Sequence, residues 1–105
     1  VVAVSGAVDG LTAPRLRSAL AVALNRLDGR SVIVDLTNVR FFGSPGLRAL
    51  AESAEQAAAK PGFLPLRIVV DRNRPVLRPI ELVGYDAILA LYHDVEDAVK
   101  DKPLT

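Results

Sequence analysis

Ser44 stands in the stretch Phe41-Phe42-Gly43-Ser44-Pro45-Gly46-Leu47, and in this 105-residue chain it has the strongest claim to chemistry. A serine hydroxyl can attack a substrate, cap a helix or carry a phosphate. Attack needs a positioned base. The chain's one imidazole, His93, lies far along the sequence in no recognisable arrangement with Ser44. The nucleophile elbow is Gly-x-Ser-x-Gly on a strand-to-helix turn, and here Phe42 stands at its first position. Catalysis is therefore the weakest of the three uses. No acid–base pair or metal set can be assembled from the remaining residues, so the chain reads as a non-enzyme without a cofactor. His93 shows no ligand spacing, so no metal is expected.

Capping is the plainest use. A serine before a helix accepts a backbone N–H of the first turn. Pro45 suits the first helical position and pushes the residue before it out of the α region. The spacing predicts Ser44 as N-cap, with Oγ accepting from Gly46 or Leu47. The same place tolerates a phosphate, because unsatisfied N–H groups and positive dipole meet there. Phosphorylation would add about −1.5 to −2 charges at that point.

Other candidates carry less. Asp9 reads equally as a turn former beside Gly10 and as part of a partner surface. Asp35, at the end of an apolar run, reads as an anchor for the following loop through hydrogen bonds to backbone N–H groups. Arg72, Arg74 and Arg78 could meet an acidic partner or phosphate, but the balanced charge favours a solvated face. Of Phe41 and Phe42, one is expected in the core and the other partly exposed, where an aromatic suits docking.

These residues need elements to hold them. "VVAVSG" reads as a strand, and Asp9-Gly10 as a turn. Thr12 is a suitable N-cap for a helix from about Ala13 to Leu27, with Pro14 early in it and Leu16, Leu20, Leu24 and Leu27 in register. Asp28-Gly29 ends that helix. "SVIVDL", residues 31 to 36, suits a strand buried on both faces. "TNVRFFGS" reads as a connection. A second helix starts at Pro45, with Leu47, Leu50, Ala51, Ala54 and Ala58 on one face, and Pro61-Gly62 stops it. "LRIVVD", residues 66 to 71, is a third strand. "RPVLRPIELVGY" reads as a short helix interrupted near Pro79 and stopped by Gly84. "AILALY" is ambiguous between strand and helix start. "DVEDAVKD" reads as a terminal helix capped by Asp94. The alternation predicts one α/β domain over residues 1–105, with a mostly parallel or mixed central sheet and flanking helices. The "SVIVDL" and "LRIVVD" strands should pair in parallel, with the Pro45 helix as crossover.

Bulk properties narrow the partners. Thirteen basic and twelve acidic residues give a net charge of +1, so no electrostatic footprint for nucleic acid appears. Cysteine is absent, which fits a reducing compartment. No apolar run approaches the length of a membrane span. The chain opens at Val1, already strand-like, and an N-terminal strand upstream of Val1 is expected.

The chain resembles the STAS domain family, which includes bacterial anti-sigma factor antagonists. "VSGAVDGLTAPRL" is similar to the family's strand, Gly-x-x-Asp turn and Thr-Ala helix start. "SVIVDLTNVRFF" is similar to its central strand. "GSPGLRAL" resembles its Asp-Ser-Ser-Gly-Leu loop and helix start, and "LRIVVDRNRPVLRPIELVGYDAIL" its third strand, variable loop and short helix. The match runs over almost the whole chain, but Gly43 stands where the family has aspartate and Pro45 where it has a second serine. The resemblance implies a small α/β domain in which Ser44 falls on the serine that accepts phosphate from an anti-sigma serine kinase. It places Asp9 near that loop. It implies a cytoplasmic regulator of a sigma factor, with Asp9, Phe42, Gly43, Ser44, Pro45, Gly46, Leu47 and Arg48 as the partner surface. A weak homodimer is a further expectation. The alternative within the family is a non-phosphorylated scaffold or sensor module binding another protein or a small ligand.

Overall fold

Alternating apolar runs and amphipathic stretches give eight elements in the computed structural model, which describes residues 2–26, 32–59, 66–85 and 89–103. They are β1 (Val2–Val8), α1 (Ala13–Arg26), β2 (Ile33–Phe42), α2 (Ser44–Ala59), β3 (Arg67–Val69), α3 (Arg74–Leu82), β4 (Ala90–Tyr92) and α4 (Val95–Lys100). The four strands form one sheet in the order β1-β2-β3-β4. Every pairing is parallel, including the expected pair of β2 with β3 around α2. The expected stops at Asp28-Gly29 and Pro61-Gly62, and the Leu27 helix end, lie outside the described residues.

Strand alternation sorts side chains onto two faces. Val34, Leu36, Ile68 and Val70 join Leu16, Leu20, Leu50, Val76 and Ile80 in the larger core, under α1, α2 and α3. Ile33, Val69 and Tyr92 point the other way and are covered by Ala98 of α4. Arg17 of α1 pairs with Glu52 of α2 at 3.2 Å. The Tyr92 hydroxyl donates to Asp101, just past α4, and Arg67 Nη1 donates to the Ala98 carbonyl at 2.7 Å. These bonds hold α4 against its face of the sheet.

Several local expectations change. β2 runs to Phe42, so "TNVRFF" is strand and not connection. Its buried positions on the larger-core face, Val34, Leu36, Val39 and Phe42, are spaced by two, then three, then three residues. The cause is a pair of register shifts against β1, one between Ala3 and Ser5 and one between Gly6 and Ala7. Each is a β-bulge that adds a residue to β2 and turns the following side chains over. Gly6 sits at φ +78 beside the second shift, a conformation that suits a residue without Cβ. β3 is shorter than expected and ends before Val70. "AILALY" resolves as strand over Ala90–Tyr92, its earlier part lying partly outside the described residues.

The helix α3 is continuous through Pro79 and not interrupted there. Val76 and Ile80, one turn apart on its inner face and both fully buried, hold it across the missing N–H. Gly84, at φ +78, donates its N–H to the Glu81 carbonyl and closes the helix as expected. Asp94 caps α4 as expected, its carboxylate accepting the Asp97 N–H at 2.7 Å. Thr12 holds the cap position of α1, its carbonyl accepting from Arg15 and Leu16. Its hydroxyl turns back instead, donating to the Ala7 carbonyl at 2.9 Å and accepting from the Asp9 N–H at 2.8 Å.

Candidate functional site

The carboxyl ends of β1 and β2 lie side by side, with Val8 opposite Phe42. The Gly43 N–H donates to the Val8 carbonyl at 2.9 Å. Asp9, one residue beyond Val8, and Ser44, one beyond Gly43, are therefore brought to the same edge of the sheet. In open α/β sheets this edge, beyond the strand ends, is where sites are built.

Ser44 does not cap α2. The N–H groups of Gly46 and Leu47, in the first turn, donate to the Gly43 carbonyl at 3.0 and 3.1 Å. Gly43 is thus the cap residue, Ser44 the first helical residue and Pro45 the second, where a missing N–H still costs nothing. Ser44 is exposed, and among the described residues its hydroxyl has no hydrogen-bond partner. A serine whose hydroxyl serves no cap is free for chemistry done to it.

Glycine is needed at 46 for contact. A Cβ there would stand 2.7 Å from Val8 Cγ1 and 3.0 Å from Phe42 Cε1. The first turn of α2 therefore lies directly on the β1–β2 ends. At Gly43 a Cβ would meet the Phe41 ring at 3.1 Å, so that ring leans over the loop.

Burial divides the expected partner surface. Ser44, Pro45 and Arg48 are exposed, and Asp9 and Gly43 are half-buried. Phe42, Gly46 and Leu47 are buried and form the floor of the loop. The aromatic that faces solvent is Phe41, 54% exposed, with Leu11 at 88% on the neighbouring β1–α1 loop. The rule that one phenylalanine goes in and one out holds. Which one is which follows from the bulges.

Asp9 is turned into its own loop. Its Oδ1 accepts the N–H groups of Leu11 at 2.9 Å and Thr12 at 3.1 Å. These bonds hold its carboxyl below the usual value, the Leu11 N–H contributing most. Asp35 anchors backbone as expected, Oδ1 accepting from the Thr37 N–H at 3.0 Å and its hydroxyl at 2.7 Å, but within a strand bulge instead of a loop. Arg72, Arg74 and Arg78 are exposed and, among the described residues, unpaired. His93 Nδ1 lies 3.4 Å from Asp71 Oδ1 at the surface. Among the described residues no group of three or more His, Cys, Asp or Glu could hold a metal ion, and no helix is long and apolar enough to cross a membrane. A groove of about 270 Å³ lies between β1 and α1, lined by Val4, Val8, Thr12, Arg15 and Leu16 among others; Ser44 does not line it.

Sequence reasoning missed Asn73. Its Nδ2 lies 2.8 Å from the Leu36 carbonyl, 3.2 Å from that of Thr37 and 2.8 Å from that of Val39. No local pattern marks it, because its partners are more than thirty residues away.

Comparison with known proteins agrees with this architecture. The STAS domain model matches residues 1–98. The anti-sigma-F factor antagonist RsfB of Mycobacterium tuberculosis, in strains CDC 1551 and H37Rv, is 31% identical over 99 residues, covering 94% of this chain and 77% of the relative. The crystal structure of an anti-sigma factor antagonist from Mycobacterium paratuberculosis superposes with a TM-score of 0.81 at 33% identity, over 94% of this chain and 80% of that one.

Proposed function

The chain belongs to the STAS domain family, and from that premise we propose that it is an anti-sigma factor antagonist. It is a regulatory binding module of the cytoplasm and not an enzyme. It binds an anti-sigma serine kinase through the edge built by Ser44, Pro45 and Arg48, with Asp9, Gly43 and Phe41 beside them. The buried Phe42, Gly46 and Leu47 shape that edge from below. The observation that carries this reading is the exposed Ser44 hydroxyl at the start of α2, which has no hydrogen-bond partner among the described residues. The family names of RsfB and of the paratuberculosis protein support the anti-sigma partner.

Phosphate on Ser44 is the proposed switch. The fold tolerates it, since the hydroxyl has no partner among the described residues and the helix start favours negative charge. A docked partner would have to desolvate a group of about −1.5 to −2 charges at the centre of its contact, so affinity falls. Gly43 and Pro45 replace the family's flanking aspartate and serine, and this observation favours a second reading, a scaffold that binds without being phosphorylated. A weak homodimer is a further proposed association, read by concentration-dependent sedimentation.

The test uses purified anti-sigma kinases of the source cell, ATP and mass spectrometry, with binding measured for wild type, Ser44→Ala and Ser44→Asp. The expected results are phosphate at Ser44, wild-type binding by Ser44→Ala and weakened binding by Ser44→Asp. Ser44→Ala should change stability by less than about 0.5 kcal/mol, as at a surface position without partners. Equal affinity for all three proteins, with no phosphate incorporated, removes the switch and leaves the scaffold.

A further inference from the structure

We propose that Asn73 is the positioning residue of the Ser44 loop: a side chain at the start of α3 that sets where the end of β2, and hence the loop, is held. Among the described residues β2 pairs with β3 across Ile33–Asp35 and Arg67–Val69, and the pairing does not continue past Asp35. Beyond Asp35 it continues to Phe42 with β1 on one side and, among the described residues, no strand on the other. Backbone carbonyls on that open side require donors. Asn73 supplies them. Its two amide hydrogens serve the carbonyls of Leu36 at 2.8 Å, Thr37 at 3.2 Å and Val39 at 2.8 Å, one hydrogen being shared.

The consecutive carbonyls of Leu36 and Thr37 meet one donor group. Regular strand geometry would send them to opposite sides, so this contact spans the first bulge. The bulge is held from two sides, since Asp35 takes the Thr37 N–H at 3.0 Å while Asn73 takes the carbonyls.

The side chain is diverted from the use its position offers. Asn73 is the N-cap of α3, yet its side chain makes no cap bond. The first turn of α3 relies on the Asn73 backbone carbonyl, which accepts from Val76 and Leu77. Asparagine is a favoured capping residue, so the amide has been committed to β2 at the expense of its own helix. Only a short donor fits the place. Aspartate has the same shape but would set a carboxylate against three carbonyl oxygens, and glutamine would carry its amide one methylene too far.

The three carbonyls immediately precede the residues that make the site. After Val39 come Arg40, the exposed Phe41, the buried Phe42, then Gly43 and Ser44. A shift of this strand end changes which phenylalanine is exposed and where the α2 start lies on Val8. The functional weight of the inference rests on the Ser44 loop being the docking surface, but its test involves no partner, so the two can fail separately.

The test is amide hydrogen exchange by NMR on wild type, Asn73→Ala and Asn73→Asp. In both variants the amides from Val39 to Leu47 should exchange about tenfold faster, as expected when buried carbonyls lose their donor. The Ser44 and Gly46 resonances should shift, while amides in the middle of α1 keep their rates. Equal acceleration throughout the chain would reduce Asn73 to a general stabiliser and overturn the proposal, as would unchanged exchange in the loop. A measurement on wild type covers the case in which the variants do not fold. Through-hydrogen-bond couplings should link Asn73 Nδ2 to the carbonyl carbons of Leu36 and Val39, and rapid exchange of the side-chain amide with no such coupling would also overturn it.

Discussion

Replacing Gly46 with alanine should destabilise the domain even though the residue lies in a helix. A Cβ at this position stands 2.7 Å from Val8 Cγ1, 3.0 Å from Phe42 Cε1 and 3.2 Å from Phe42 Cζ. Carbon atoms prefer about 3.5–4.0 Å, so all three contacts are too short. Neither neighbour can yield cheaply. Val8 is β-branched and stiff at χ1, and Val8 and Phe42 are 2% and 3% exposed. They also face each other across paired strands, so moving one disturbs both ends. Overpacking of this kind costs about 1–3 kcal/mol. Removing glycine from a helix returns at most about 1 kcal/mol. The 2.7 Å approach to Val8 is below any ordinary carbon–carbon contact and places the cost in the upper part of that range. About 2–3 kcal/mol less the returned 1 leaves a net loss of about 1–2 kcal/mol, and each kcal/mol lowers Tm by about 4–8 °C in a domain of this size. Urea and thermal melts of Gly46→Ala measure it, with Gly10→Ala as control. No atom lies within 4 Å of a Cβ at Gly10, so the control should stay within about 0.5 kcal/mol. An unchanged or raised Tm for Gly46→Ala would refute the close approach of α2 to the strand ends.

Two further outcomes follow from the end of the chain. Asp94→Ala should cost about 1 kcal/mol, because the carboxylate caps α4 through the Asp97 N–H; urea melts read it, and no loss would mean that α4 needs no cap. Burial, then the hydrogen bond to Asp101, pushes the Tyr92 phenol up to about 12. The proton is thus held more tightly in the folded state than in the unfolded chain, where the pKa is about 10. This contribution is complete below pH 10 and disappears as pH rises towards about 12. Stability of wild type should fall in that window, and Tyr92→Phe should flatten the fall at a neutral-pH cost of about 1 kcal/mol for the lost hydrogen bond.

Much of the fold could be read from the residues. The apolar runs around Val34 and Ile68, with a helix between them, fix a parallel pair, and Asp94 announces the start of α4. The place of Ser44 at the start of the second helix was also legible. Three features were not, each for a physical reason. A Ser-Pro pair fits a helix start in two registers one residue apart, and the sequence does not say that Gly43 will take the cap. The end of β2 reads as a connection because bulges replace strict alternation by steps of three, which no period-two template matches. The same bulges decide that Phe42 is buried and Phe41 exposed. Asn73 was invisible because its partners are distant in sequence and are carbonyls, which every residue has.

The paired bulges also make the strand a two-step counter. A single inserted residue inverts the parity of every side chain after it, and a second restores it, so Phe42 points the same way as Val34 although the route between them is out of phase. Deleting one residue between the two bulges would leave the count odd. Phe41 and Phe42 would then exchange roles, and the surface beside Ser44 would be repainted without altering a residue of the loop. Deleting one residue at each bulge would restore the parity. Length changes in this segment therefore divide into odd ones, which rewrite the face shown to a partner, and even ones, which preserve it.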